Sequence, residues 1–220
     1  MEIKVMANIL DKNDQIAADI NCQLSAKGIF VLNLLGSPGS GKTSLLERTI
    51  VALKNDLRLA VIEGDLFTSK DAERIDRHGV PVIQINTGGG CHLDAAMIRN
   101  VLGRLCLDEL DMIIIENVGN LVCPAEFNIG EDAKATVLSI TEGEDKPLKY
   151  PLMFKQACVT ILNKVDLLPY TSFDLAAAIE DITSINPRIT LIQASCRTGA
   201  GLQPWFDWLR EQVHNKQARS

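Results

Sequence analysis

Short, nearly continuous apolar runs alternate along this chain with stretches whose apolar positions recur at helical spacing. The runs at residues 29–35, 57–63, 80–85, 112–116, 135–141, 157–162 and 190–193 predict strands, most of them buried on both faces. Helical periodicity is predicted over 44–54, 71–78, 93–107, 173–185 and 205–213. Ahead of the first strand, Ile9, Ile16, Ile20 and Leu24 recur at helical spacing among Asp11, Lys12, Asp14 and Asp19. This predicts an amphipathic helix that ends near Gly28. Residues 117–132 have little periodicity and read as a loop, and 142–149 are too polar for core. Trp205 and Trp208, three apart on the last helix, read as core.

Strands alternating with helices predict an α/β fold, a mostly parallel sheet with helices on both faces. No internal repeat or linker divides it, so residues 29–220 form one domain and 1–28 a helical extension. In such sheets ligands bind at the carboxyl ends of the strands. Gly36, Asp65, Cys91, Glu116 and Asn163 all fall at or just beyond predicted strand ends and are expected along one edge.

Composition narrows the partners. The chain has 220 residues, enough for a sizeable core, with 46% hydrophobic and 23% charged residues. A formal net charge of −6 argues against a broad nucleic-acid footprint. No stretch approaches the roughly 20 apolar residues that span a bilayer. Glu2 and Lys4 stand where a signal peptide needs an apolar core, so no membrane partner and a cytoplasmic location are expected. Six cysteines then read as thiols or metal ligands rather than a disulfide framework.

Between the first strand and the first long helix stands Gly36-Ser37-Pro38-Gly39-Ser40-Gly41-Lys42-Thr43, with Ser44 opening the helix. It fits the phosphate-binding pattern G-x-x-x-x-G-K-[ST] in the context that pattern requires. The glycines let successive backbone N–H groups point at phosphate oxygens, and a helix N-terminus favours the anion. Lys42 is expected to reach the β- and γ-phosphates and Thr43 to ligate Mg²⁺. Asn163-Lys164-Val165-Asp166 follows a strand farther on, and the Asp166 carboxylate can accept two hydrogen bonds from guanine that adenine cannot give. Asn163 and Lys164 would brace base and phosphate loop. Ala194-Ser195-Cys196 resembles the backbone lining the guanine carbonyl in GTPases, so GTP is the expected nucleotide.

Glu116-Asn117-Val118-Gly119 resembles the acidic-x-x-Gly segment that senses the γ-phosphate in GTPases. Glu116 would then hold Mg²⁺ through water, and the Gly119 N–H would meet the phosphate. Asp65 and Asp71 lie where a first switch is expected; either binds Mg²⁺ or orients the attacking water, and Asp65 is favoured. The alternative is that one of them caps the following helix.

Cys91-His92 follows Gly88-Gly89-Gly90 on the same edge, and Cys123 lies just beyond Gly119. Thiolate and imidazole suit Zn²⁺ and also Ni²⁺, and the glycines permit the open backbone that adjacent ligands need. Read from residues alone, a buried apolar cysteine is the commoner use. Cys106 and Cys158 sit in apolar stretches and read as core, Cys196 serves through its backbone, and Cys22 is undecided.

Together, residues 36–43, 86–92, 116–123, 141–149 and 163–166 resemble the HypB family of hydrogenase nickel-insertion GTPases over nearly the whole chain from residue 29. The urease accessory GTPases are the nearest alternative, but they carry Cys-Pro-His where this chain has Cys91-His92 and a separate Cys123. The resemblance implies a P-loop GTPase fold and a GTP/GDP cycle. It also implies a homodimer with Ni²⁺ or Zn²⁺ at residues matching Cys91, His92 and Cys123. A HypA-type metallochaperone and the hydrogenase large subunit are the implied partners. Lys149 is expected to reach across the dimer toward the partner's nucleotide. A metal-buffering module whose nucleotide gates dimerisation is the rival reading. Some members carry an N-terminal cysteine motif or histidine-rich tract, and residues 1–28 hold neither.

Overall fold

The computed structural model describes residues 2–66 and 70–219, with side chains in the first helix from residue 10 onward. The expected contact of Ile9, and residues 67–69 of the first-switch stretch, lie outside the described residues.

The strands are β1 (Phe30–Gly36), β2 (Leu59–Asp65), β3 (Val82–Asn86), β4 (Met112–Glu116), β5 (Ala133–Ser139), β6 (Val159–Asn163) and β7 (Thr190–Gln193). Among the described residues these make one sheet in the order β3-β2-β4-β1-β5-β6-β7, with every pairing parallel. The helices are α1 (Glu2–Ser25), α2 (Lys42–Leu53), α3 (Lys70–Asp76), α4 (Ala95–Leu102), α5 (Cys123–Glu126), α6 (Lys146–Lys149), α7 (Pro151–Gln156), α8 (Leu175–Ile185) and α9 (Gln203–Gln217).

Strand alternation sorts the apolar residues between the two faces. Phe30, Leu32, Leu34, Met112 and Ile114 join the layer that holds Leu45 and Ile50 of α2 and Trp205 and Leu209 of α9. Val31, Ile113 and Ile115 join the other, with Ile20 and Leu24 of α1 and Ile98 of α4. A third cluster sets Leu35, Leu138 and Leu162 against Phe154 of α7 and Ile182 of α8. Because both faces are covered, β1 and β4 are buried along their whole length. Each such Leu or Ile contributes ~1.5–3 kcal/mol relative to exposure. Trp205 is core as expected, and its indole N–H donates to Thr49 Oγ1 at 2.8 Å. Trp208 stacks on it and is partly buried.

The first helix docks through its apolar stripe and one amide. Asn13 donates to the Asn128 carbonyl at 2.8 Å and accepts from the Ala95 N–H at 3.0 Å, which ties α1 to the start of α4. Gly130 closes the contact: at φ +92°, a Cβ there would lie 2.4 Å from Ile20 Cγ2.

Several boundaries differ from the sequence reading. The helix expected over 93–107 ends at Leu102, where Gly103 follows, and a 3-10 turn covers Leu107–Glu109. The loop at 117–132 holds α5, and the polar stretch at 142–149 holds α6, each a single turn with proline near its start. Cys106 and Cys158 are exposed rather than core. Cys106 lies in the connection between α4 and the 3-10 turn, and Cys158 immediately precedes β6, with its backbone N–H and carbonyl bonded to Lys134 and Thr190.

Gly130→Ala combines a left-handed φ with overlap against Ile20, so it is expected to lower the unfolding free energy by about 1–3 kcal/mol. Urea unfolding of variant and parent measures the change.

Candidate functional site

Parallel strands bring Gly36, Asp65, Glu116 and Asn163 to one edge, as the alternation of elements requires. There a cleft of about 480 Å³ is lined by the phosphate-loop residues Pro38, Gly39 and Gly41 to Ser44, by Glu63, Asp65 and Asp71, and by Glu116 to Gly119 and Lys164. A slightly larger cavity of about 550 Å³ lies at the opposite ends of the strands, around Arg58 and Arg104. It shares no residue with the sequence motifs.

The loop after β1 is shaped by close approach. A Cβ on Gly36 would lie 2.5 Å from the Val137 carbonyl oxygen, and one on Gly41 would lie 2.3 Å from Asn163 Nδ2. Gly41 precedes α2 in a left-handed conformation and provides no side-chain cap. The first amides of α2 are thus available to an anion. Lys42 Nζ donates to the Gly36 and Ser37 carbonyls at 3.1 and 3.2 Å. Burial holds its ammonium below the ordinary range, opposed by Glu116. The Ser37 and Ser40 hydroxyls are buried with no hydrogen-bond partner.

Thr43 Oγ1 donates to Glu116 Oε1 at 2.8 Å. Burial pushes the Glu116 carboxyl up to about 7, against the pull of Lys42. Asp65 ends β2 at the mouth of the cleft, and its Oδ1 accepts from the Leu66 N–H at 2.6 Å. Asp71 lies inside the first turn of α3 and ion-pairs with Arg74 at 2.9 Å. Arg74 also holds Glu47 of α2 at 2.7 Å. The two candidate switch acids therefore sit on different elements, Asp65 at the end of β2 and Asp71 in the first turn of α3.

Asn163 forms a hub. Its Nδ2 donates to the Ser40 carbonyl at 2.9 Å, and its Oδ1 accepts from the Lys164 and Cys196 amides at 2.8 and 3.1 Å. Lys164, in a left-handed conformation, donates through Nζ to the Gly39 carbonyl at 2.7 Å. Asp166 Oδ1 is buried with no hydrogen-bond partner. The Ser195 N–H donates to the Ala200 carbonyl at 2.9 Å within its own loop, and the Cys196 N–H ties that loop to Asn163. Burial pushes the Cys196 thiol up to about 11. Lys149 is more than half exposed and ion-paired with Asp145 on its own helix.

Cys91, His92 and Cys123 converge, with one ligand atom of each within 4.8 Å of the others. The two sulfurs are 3.1 Å apart, and Cys91 Sγ is 3.6 Å from His92 Nδ1. Positive φ at Gly88 and Gly89 turns the backbone ahead of the pair, as the glycine run predicted. Phe127 stacks on the imidazole at 4.0 Å between ring centroids. Burial lowers the His92 pKa, and the Cys91 hydrogen bond raises that of Cys123.

Three side chains were missed in the sequence. Glu63 lines the cleft, and burial together with Glu116 pushes its carboxyl up to about 8. Asn117 accepts from the Leu93 and Val118 amides and donates to Asn33. Asn120 donates through its backbone N–H to the Gly36 carbonyl at 3.2 Å and through Nδ2 to the Cys91 carbonyl at 3.3 Å. Its Oδ1 accepts from the Val122 N–H at 2.9 Å. Asn120 thus bridges the phosphate loop and the Cys–His cluster. The available signal was an amide in an otherwise apolar stretch between two motifs.

The chain is matched over residues 30–193 by a family model described as the CobW/HypB/UreG nucleotide-binding domain. It is 51% identical over 210 residues to the hydrogenase maturation factor HypB of Escherichia coli strain K12, covering 96% of this chain and 72% of that protein. It is 40% identical over 215 residues to the hydrogenase/urease maturation factor HypB of Helicobacter pylori strain J99, covering 96% and 88%. The crystal structure of HypB from Helicobacter pylori in complex with nickel superposes with a TM-score of 0.87 at 38% identity, over 94% of this chain and 97% of that one.

Asn163→Ala would strand the Ser40 carbonyl and two amides, so it is expected to lower the unfolding free energy by about 1–3 kcal/mol. Urea unfolding in the absence of nucleotide tests this, since the hub is internal to the chain.

Proposed function

The chain belongs to the HypB family of hydrogenase maturation factors, and from that premise we propose a GTP-hydrolysing switch that assists nickel insertion into [NiFe]-hydrogenase. One observation carries the reading: the single segment after β4 contacts the phosphate loop through Gly119 and Asn120 and supplies Cys123 to the cysteine–histidine cluster. A change at the γ-phosphate therefore has a short covalent route to a metal ligand.

In this reading the amides of Gly36, Ser37 and Gly39 to Ser44, with Lys42, hold the phosphates, and the Gly119 N–H meets the γ-phosphate. The hard oxygens of Thr43, Glu116 and Asp65 fit Mg²⁺. That ion would neutralise charge on the β- and γ-phosphates. Asp65, at the end of β2 and the mouth of the cleft, orients the attacking water, with Asp71 the alternative. Asp166 reads guanine: its buried, unpartnered Oδ1 suits the guanine N–H donors. Asn163, Lys164, Ser195 and Cys196 brace that pocket.

The cargo is Ni²⁺, with Zn²⁺ an alternative occupant of Cys91, His92 and Cys123. The active form is a homodimer in which Lys149 leaves Asp145 for the partner's nucleotide. A HypA-type metallochaperone supplies nickel, the hydrogenase large subunit receives it, and the cycle runs in the cytoplasm. Residues 29–220 are the GTPase domain, and 1–28 are its helical extension. An alternative client is urease, since the Helicobacter pylori relative is a hydrogenase/urease maturation factor.

Asp166→Asn is expected to weaken GTP binding and favour xanthosine triphosphate, whose added carbonyl suits an amide donor. Competition between the two nucleotides checks this, and unchanged GTP affinity removes Asp166 from the base site. The switch itself predicts reciprocal coupling of metal and nucleotide, in the usual range of about five- to 150-fold. Titrating Ni²⁺ into GDP- and GTP-analogue-bound protein should give different affinities, with the difference abolished in Cys123→Ala. Equal wild-type affinities in the two states would sink the mechanism.

A further inference from the structure

Glu63 stands directly opposite Glu116 in the register of β2 and β4. In a parallel pair, residues in register project to the same side of the sheet, and both glutamates line the cleft beside the phosphate loop. Both are buried, at 3% and 4% exposure. Each has an Oε2 shielded from solvent with no hydrogen-bond partner. On Glu116 the other oxygen is taken by Thr43, and the Lys42 ammonium donates to the Gly36 and Ser37 carbonyls.

Two facing carboxylates with orphaned oxygens are costly to bury unless a cation or donor stands between them. A hard divalent cation that keeps part of its water shell supplies both, since its charge offsets the pair and its waters donate to the free oxygens. Asp65, two residues farther along β2, projects to the same side at the more open mouth of the cleft. The chain therefore lines one wall with acids from two strands, deeper than the threonine of the phosphate loop alone would require.

We propose that Glu63 is a further residue of the Mg²⁺ site: paired with Glu116, it accepts from water on the ion and sets how tightly the nucleotide-bound metal is held. The inference rests on the nucleotide reading above and adds a residue to that site. Glu63 is a positioning residue, acting on the ion through water. Its carboxylate charge is required, and an isosteric amide does not replace it.

The experiment measures binding of a fluorescent GDP analogue in EDTA and then across a Mg²⁺ titration, for wild type, Glu63→Gln and Glu63→Ala. Mn²⁺ binding followed by electron paramagnetic resonance reads the ion directly. The expected result is unchanged GDP affinity in EDTA and a Mg²⁺ half-saturation raised about tenfold or more in both variants, the scale of losing an outer metal partner. Glu63→Asp keeps the charge with a shorter reach and is expected to fall between. The urea transition of each variant is recorded on the same samples; Gln keeps the size of Glu and removes one of two facing charges. Identical Mg²⁺ half-saturation in wild type and both variants overturns the inference while leaving the nucleotide reading standing. Wild type that binds no GDP in either condition overturns both.

Discussion

One carbonyl oxygen holds the two halves of the site together. Gly36 O accepts from Lys42, the lysine of the phosphate loop, and from the amide of Asn120, on the segment that leads to Cys123. No other residue type fits at Gly36, where a Cβ would run into the backbone of β5 and the Ser40 hydroxyl. The position is thus defined by what it excludes. A side chain there would push the phosphate loop off β5 and break the bridge to Asn120. The sheet supplies the rigid support: β1 lies between β4 and β5, its pairing with β4 runs to Leu34, and its pairing with β5 continues to Gly36, where the loop begins.

Side-chain amides do most of the stitching along that edge. Asn33, Asn117, Asn120 and Asn163 each join segments distant in the chain, and Asn13 does the same for the first helix. An amide offers donor and acceptor at once without charge, so it can satisfy two backbone groups in a dry place. The acids behave otherwise. Glu63 and Glu116 are held in a buried wall where burial resists their ionisation, and Lys42 is held nearby where burial resists its protonation. The edge is rigid where amides bridge it and electrostatically tense where ionisable groups face each other.

Much of the fold was legible because buried parallel strands leave unbroken apolar runs; β4 was read with its observed limits, Met112–Glu116. β2 and β5 each lie two residues from their predicted limits, since a run of apolar residues does not say where hydrogen-bonded pairing starts. The single-turn helices α5 and α6 were invisible to periodicity, which needs more than one turn to register. Glycine and lysine at special spacing pointed to the loop between β1 and α2, and what guanine demands singled out Asn163 and Asp166 as candidates. Glu63 gave no such sign, because an acid near a strand end reads as a solvated terminus until its partner strand is known. Asn120 was hidden for a related reason: its partners at Gly36 and Cys91 are brought to it only by the sheet. Cys106 and Cys158 show the opposite error, since apolar neighbours in sequence do not bury a residue in the connection between a helix and a turn or just ahead of a strand.

The cysteine–histidine cluster is already assembled by the apolar core and the Asn120 bridge. Cys91 and Cys123 are 32 positions apart, and the sheet closes that loop as the chain folds. The entropy of bringing the ligands together is therefore settled during folding, whereas in small zinc-dependent domains the ion itself must supply that work. If the cluster takes the ion proposed for it, loading and unloading would be local events that leave the fold standing. A structural metal site is built for retention; a preassembled cluster of this kind would suit an ion in transit.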